Sequence, residues 1–255
     1  MLSEAFKINN NLLLPKHASP IVDILFAPMQ GITDCAYRRE HFLRYGGVDA
    51  YFAPFARIER GRIRDKERRD ILPERNRGVP TIPQVIARDR DEFARLCDAV
   101  QNLGWREIDL NMGCPFPMQT HAGRGSGLLP HTDRVGEIFE EMRRCPEVAF
   151  SVKMRLGLED AEECMRLLPL INEAPLRLVT MHPRLGVQQY EGEVDMVAFD
   201  CFFEGCRKPM AYNGDLRTLA DLRAIQRCYP TLVAVMLGRG LVDNPALARD
   251  YKQSI

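Results

Sequence analysis

The sequence predicts an α/β fold, a closed (β/α)8 TIM barrel, on three observations. Eight short apolar runs recur along 255 residues, each ending in polar or turn-forming residues. Most are followed by a stretch with helical apolar spacing, and alternating βα units build a parallel sheet. Eight such units also fill about 250 residues, the usual size of this barrel. A doubly wound sheet is the alternative. Its ligand residues gather at one switch point, however, whereas here polar residues mark nearly every strand end.

The elements follow in order. Residues 1–20 read as a polar lead-in, carrying Glu4, Lys7 and Lys16. Ile24–Ala27 is the first strand and ends in Pro28-Met29-Gln30-Gly31; Thr33 or Asp34 can cap a helix from Cys35 to Arg44. Ala50–Ala53 is the second strand, and a highly charged segment, Arg57 to Arg77, follows it. Ile82–Ile86 is the third, with a helix from Asp91 to Leu103. The fourth lies in Glu107-Ile108-Asp109-Leu110-Asn111-Met112-Gly113-Cys114-Pro115, where glycine permits a turn and proline forbids continuation of the ladder. Thr132 or Asp133 caps the next helix, which runs through Arg144. Phe150–Met154 is the fifth strand, followed by a helix from Glu159 to Asn172. Leu176–Met181 is the sixth and ends at His182; Pro209–Tyr212 is the seventh and Leu232–Leu237 the eighth. The whole chain, 1–255, reads as a single barrel domain.

Composition narrows the function classes. With 35 Lys and Arg against 35 Asp and Glu the formal charge is zero, so a nucleic-acid partner requires a local patch. Eight cysteines lie without Cys-x-x-Cys pairs or zinc spacing, and no metal is expected. Unpaired thiols and the lack of an export signal point to the cytoplasm, and no apolar run is long enough to cross a membrane.

The strand ends carry the chemistry. In order they present Met29 with Gln30, Gln84, Asn111 with Cys114, Lys153, His182, Asn213 with Asp215, and Gly238 with Arg239. Enzymes of this architecture work at these ends. Cys114 is either a small buried residue or a positioned acid or nucleophile. An ammonium inside the apolar run Val152-Lys153-Met154 is expensive to bury alone, so Lys153 calls for an anion or a polar ligand. Asn213-Gly214-Asp215 and Gly238-Arg239-Gly240 follow the last two strands, where glycine N–H groups and a forked guanidinium suit a phosphate.

These motifs resemble the tRNA-dihydrouridine synthases, flavin-dependent barrel enzymes. The resemblance rests on Ala27-Pro28-Met29-Gln30-Gly31-Ile32-Thr33-Asp34, Asp109-Leu110-Asn111-Met112-Gly113-Cys114-Pro115, Gly123-Arg124-Gly125-Ser126-Gly127-Leu128-Leu129, Val152-Lys153-Met154-Arg155-Leu156-Gly157, Asn213-Gly214-Asp215 and Gly238-Arg239-Gly240 with Asn244-Pro245. It implies FMN in the barrel mouth, with Pro28, Met29, Gln84, Lys153 and His182 along the isoalloxazine. Asn213, Asp215, Gly238 and Arg239 match the positions that hold the ribityl phosphate. NADPH reduces the flavin in that family, and Cys114 matches the acid that protonates C5 of a uridine flipped out of tRNA. Asn111, Arg124 and Arg184 match as substrate contacts, with Asn111 and His182 facing the uracil carbonyls. Arg57, Arg60, Arg62, Arg64, Lys66, Arg68 and Arg69 offer a basic patch for the RNA, diluted by Glu59, Asp65, Glu67 and Asp70. A monomer is the expected state. The resemblance departs at His182-Pro183-Arg184-Leu185-Gly186, where the family has a Gly/Ala-Arg-Thr sequence after the histidine. The family also carries a C-terminal helical domain that grips tRNA, and this sequence stops at Ile255, so it reads as a form lacking that domain, either naturally short or truncated. A flavin reductase of a free small molecule and a non-catalytic flavin- or RNA-binding protein remain the alternatives.

Overall fold

The computed structural model describes residues 22–254; the polar lead-in lies outside them. The eight barrel strands are β1 (Asp23–Phe26), β2 (Ala50–Phe52), β3 in two pieces (Thr81–Ile82 and Gln84–Val85), β4 (Glu107–Met112), β5 (Ala149–Gly157), β6 (Leu176–Leu185), β7 (Met210–Tyr212) and β8 (Ala234–Leu237). All neighbours are parallel. Asp23 to Phe26 of β1 run alongside Ala234 to Leu237 of β8, which joins the two ends of the sequence. The break in β3 falls at Pro83, which has no N–H to give; its carbonyl still accepts from the Asp109 amide at 2.9 Å. With one piece of β3 on β2 and the other on β4, the barrel closes.

Two strands outrun the sequence expectation. β5 continues past Met154 to Gly157 and β6 past Met181 to Leu185, paired through Arg155 with His182 and Gly157 with Leu185. His182 is therefore inside a strand rather than at its end. The Arg155 side chain explains the extension. It donates to the carbonyls of Gly113 (3.0 Å), Leu185 (2.7 Å) and Gln189, tying the β4 turn to the end of β6 and the loop after it.

Alternation along the strands sorts side chains into two layers. Outward-facing Ile24, Phe26, Val85, Ile108, Leu110, Phe150 and Val152 form the large core against the surrounding helices. Inward-facing Leu25, Ala27, Ala50, Phe52, Ile82, Leu178, Ala211, Ala234 and Met236 fill one side of the barrel. The other side of the interior is polar, with Gln84, Asp109, Ser151 and Thr180 all buried.

The helices obey their caps. Helix α1 (Cys35–Arg44) starts at Asp34, whose carboxylate accepts from the Tyr37 amide; Thr33 instead bonds the Met29 backbone. Helix α2 (Arg90–Asn102) follows β3, capped by Asp89. Helix α3 (Thr132–Arg143) begins one residue earlier than a Thr132 cap requires and two earlier than an Asp133 cap: His131 occupies the cap position and no side chain caps it. Helices α4 (Glu162–Glu173), α5 (Met196–Gly205) and α6 (Leu219–Cys228) follow β5, β6 and β7. The charged segment after β2 is no open loop. Ile58–Glu59 and Arg62–Ile63 pair as a hairpin, and Asp65–Asp70 is a short helix.

Candidate active site

The carboxyl ends of the strands open into a cavity of about 350 Å³, a size that suits a small organic ligand. Its walls come from β1 and its loop (Ala27, Pro28, Met29), the β4 turn (Asn111, Gly113, Cys114), β5 (Lys153, Arg155) and His182 of β6. The far side is Asn213, Gly214 and Asp215 after β7, with Gly238, Arg239 and Gly240 after β8. Ten of the thirteen residues expected at the site from sequence line this one cavity: Pro28, Met29, Asn111, Cys114, Lys153, His182, Asn213, Asp215, Gly238 and Arg239.

Cys114 is held by its backbone. Its amide donates to Asn111 Oδ1 at 2.8 Å, as does the Gly113 amide at 3.0 Å. Its carbonyl accepts from the Ser126 amide (3.0 Å) and hydroxyl (3.1 Å). This explains the glycine-rich element. Gly125 has φ of +60°, and a Cβ there would lie 2.5 Å from the Cys114 carbonyl oxygen. The side chain is 5% exposed and packs on Phe55 and Ile86. Burial pushes the thiol pKa up, against the Phe116 backbone hydrogen bond and the charges of Arg155 and Lys153. At neutral pH it is a thiol that can give a proton.

Lys153 faces the cavity half-buried and makes no hydrogen bond or ion pair among the described residues. Burial first, and then the neighbouring Arg155, bring its pKa down to about 8, while Asp109 pulls the other way. Such an ammonium can receive a polar or anionic ligand.

His182 has both ring nitrogens engaged. Arg184 can only donate, so Nε2, 3.1 Å from its guanidinium, is the acceptor. Asn213 Nδ2 gives to the Met236 carbonyl at 2.8 Å, which turns its Oδ1 to His182 Nδ1 at 3.3 Å. The imidazole is therefore neutral, with the proton on Nδ1. Burial, followed by the charges of Lys153, Arg155 and Arg184, drives its pKa well below the usual value. This geometry leaves it no free donor for a uracil carbonyl.

Asp215 has a positive φ of 44° and ties the phosphate-side residues together. Its carboxylate meets Arg184 on one oxygen and Arg239 on the other, the second at 2.7 Å. Burial alone would raise its pKa; the Arg184 hydrogen bond and the charges of Arg184 and Arg239 outweigh it and hold it low.

Three expected residues stand elsewhere. Gln84 is fully buried below the cavity floor, bonded to Asp109 and Asn111, so it supports the site from beneath. Arg124 is held by a two-pronged ion pair to the buried Glu92, because the carboxylate at the start of α2 needs a cation, and it is outside the cavity. Arg184 is buried against Asp215, His182 and the Gly192 carbonyl, where it positions other groups. Three of the seven basic residues of the charged segment pair within it, as Arg57–Glu67, Arg62–Asp65, Arg64–Glu59 and Arg64–Glu67.

Arg155 and Tyr190 are among the cavity residues not singled out as site residues from sequence. Arg155 lies two positions from Lys153 on the same face of β5, so strand alternation carried the signal. Tyr190, 50% exposed, stands in the β6–α5 loop with Arg155 and Arg239 over its ring at 5.4 and 5.9 Å. Its neighbour Phe116 is 6.4 Å away between ring centroids. No periodicity marks a loop aromatic.

Comparison with known proteins settles the family. The sequence model of the dihydrouridine synthase (Dus) family matches residues 25–255, which spans the barrel from the middle of β1 onward and every cavity residue. The chain belongs to the dihydrouridine synthase family. It is 31% identical over 241 residues to the tRNA-dihydrouridine(16) synthase of Neisseria meningitidis serogroup B, covering 90% of this chain and 71% of that protein. It is 28% identical to tRNA-dihydrouridine synthase B of Pasteurella multocida, covering 89% and 68%. Among solved structures, the old yellow enzyme homologue of Zymomonas mobilis superposes with a TM-score of 0.65 at 10% identity, covering 91% of this chain and 88% of that one. A morphinone reductase structure gives 0.64 at 9% identity, over 91% and 86%. These structural likenesses establish the barrel. As a dihydrouridine synthase family member the chain is an oxidoreductase, and no helix among its described residues is long and apolar enough to cross a membrane.

Proposed function

We propose that this chain reduces the 5,6 double bond of a uridine in tRNA, with FMN in the cavity and NADPH as the source of electrons. The observation that carries the reading is Cys114: a buried thiol, protonated at neutral pH, at the wall of the cavity and held there by three hydrogen bonds of its own backbone and one of the neighbouring Gly113 amide. The cavity fits a flavin on its own terms. It offers an apolar wall from Ala27, Met29 and Met236, an unengaged ammonium on Lys153, and, at the opposite end, Arg239 with the backbone of Gly238 and Gly240. The glycine at 240 is required by space, since a Cβ would sit 2.2 Å from the Leu216 carbonyl oxygen.

When bound, reduced FMN supplies hydride for C6 of the uracil. The protein supplies the rest. Cys114 Sγ delivers its proton to C5, which completes the addition of one hydride and one proton. Lys153 and Arg155 favour the thiolate left behind, until water returns the proton. Asn111 keeps one Nδ2 hydrogen for the substrate, its other contacts being made to Gln84 and the turn. The half-exposed Tyr190 lines the cavity that a base must leave its stack to reach.

Incubation of the FMN-loaded chain with NADPH and unmodified tRNA transcripts, followed by nucleoside mass spectrometry, tests this. Dihydrouridine should form in the tRNA, with free uracil slower by roughly 100-fold or more, since the remote RNA contacts contribute to the rate. Equal reduction of free uracil, or no reduction of tRNA, would overturn it.

A further inference from the structure

Beneath the cavity a single line of hydrogen bonds joins a fully buried carboxylate to the Cys114 turn. Ser151 Oγ donates to Asp109 Oδ1 at 2.6 Å. Gln84 Nε2 donates to Asp109 Oδ2 at 2.7 Å, Asn111 Nδ2 donates to Gln84 Oε1 at 2.8 Å, and Asn111 Oδ1 takes the amides of Gly113 and Cys114. We propose that Asp109 is a positioning residue that sets the direction of this chain and so fixes the turn presenting the Cys114 thiol.

The argument is one of donors and acceptors. A primary amide can present either end to a neighbour, so Gln84 and Asn111 have no preferred direction of their own. An ionised carboxylate can only accept. It therefore turns the nitrogen of Gln84 toward itself and the oxygen of Gln84 toward Asn111. That oxygen takes the Asn111 nitrogen, which aims the Asn111 oxygen at the turn. The turn offers two backbone N–H groups and nothing else, so the two ends of the chain agree. A donor in place of Asp109 would reverse Gln84 and set its nitrogen against that of Asn111, leaving the two N–H groups without an acceptor. In a dry interior that mismatch is costly. Lys153 is the one cation whose charge acts on Asp109, and it lies on the same inward face of the next strand.

The functional consequence rests on the reading of Cys114 as the acid, but the test does not. Two readouts need neither flavin nor tRNA: hydrogen–deuterium exchange at the Gly113 and Cys114 amides, and alkylation of Cys114 by iodoacetamide. The exposed Cys201 and Cys228 serve as internal references for alkylation. Asp109→Asn lets Gln84 present either end to residue 109 and removes the charged acceptor that fixes it, so exchange at both amides should speed and Cys114 alkylation should change by roughly fivefold, the weight of one net hydrogen bond. Adding Gln84→Glu to Asp109→Asn moves the charge one link along without adding a heavy atom. The carboxylate introduced at 84 can then accept from both its neighbours, so the double variant should restore both readouts. Ser151→Ala, which removes a donor to Asp109 but leaves the direction intact, should leave both unchanged. Ser151→Ala acting as strongly as Asp109→Asn would overturn the proposal, as would a double variant that folds by circular dichroism yet is not restored. Should Asp109→Asn fail to fold alone, the folded double variant against Gln84→Leu gives the same comparison. Loss of tRNA activity with these readouts intact would count against the proposed function instead.

Discussion

Cys114→Ala should lower dihydrouridine formation by about 10²- to 10⁴-fold, the range of a positioned acid, while leaving flavin binding in place. The two effects separate because of where the thiol sits. Its side chain packs on Phe55 and Ile86 and takes only the Phe116 backbone hydrogen bond, while the hydrogen bonds to Asn111 and Ser126 are made by its backbone. Alanine keeps that backbone and the seat against the hydrophobic pair, so the cavity keeps its shape and loses only the proton. Single-turnover reaction with tRNA, with FMN affinity titrated in parallel, reads both. Turnover at the wild-type rate would show that another group protonates C5. The pH dependence follows from the sign of the shift. A thiol raised by burial stays protonated through neutral pH, so its contribution as an acid should hold up to about pH 9 and fall only above it.

Arg184→Met should destabilise the fold and loosen the flavin site together. Arg184 is 3% exposed and serves three partners, the Asp215 carboxylate, His182 Nε2 and the Gly192 carbonyl. Truncation strands all three in a part-buried place. Complete burial would argue for a larger loss, but Asp215 is substantially exposed and regains water, so about 3 kcal/mol is the expected cost. At roughly 2–4 °C per kcal/mol for a chain of this size, the melting temperature should drop by roughly 6–12 °C. Asp215 would keep Arg239 alone, and FMN affinity should fall. The same variant tests the histidine: ¹⁵N shifts of His182 should report a proton on Nδ1 in the wild type and a mixture of tautomers once Arg184 is gone. A proton on Nε2 in the wild type would contradict the bonding scheme.

Much of the fold was legible because barrel strands are short, apolar and punctuated. The eight strands fall where the apolar runs fall, and the cavity forms where their polar ends converge. What escaped the sequence depended on partners distant along the chain. β5 and β6 run long because the Arg155 side chain bonds the carbonyls of Gly113, Leu185 and Gln189, and none of those is visible from Val152-Lys153-Met154. Gln84 is in the strand expected for it, yet the break at Pro83 and the buried Asp109 claim its amide from below. Arg124 stands beside the predicted glycine-rich element, but Glu92, 32 residues earlier, takes its charge. Asp109 itself was written in the strand motif. Only the register of β3, β4 and β5 reveals that Gln84, Asp109 and Ser151 face one another.

The central claim is that the cavity presents a flavin to Cys114, and titration of the purified chain with FMN, followed by visible absorption, tests it most directly. The account predicts saturable binding near one FMN per chain, a perturbed flavin spectrum, and weaker retention in Arg239→Ala. A folded protein whose spectrum shows neither bound chromophore nor uptake of added FMN would contradict it.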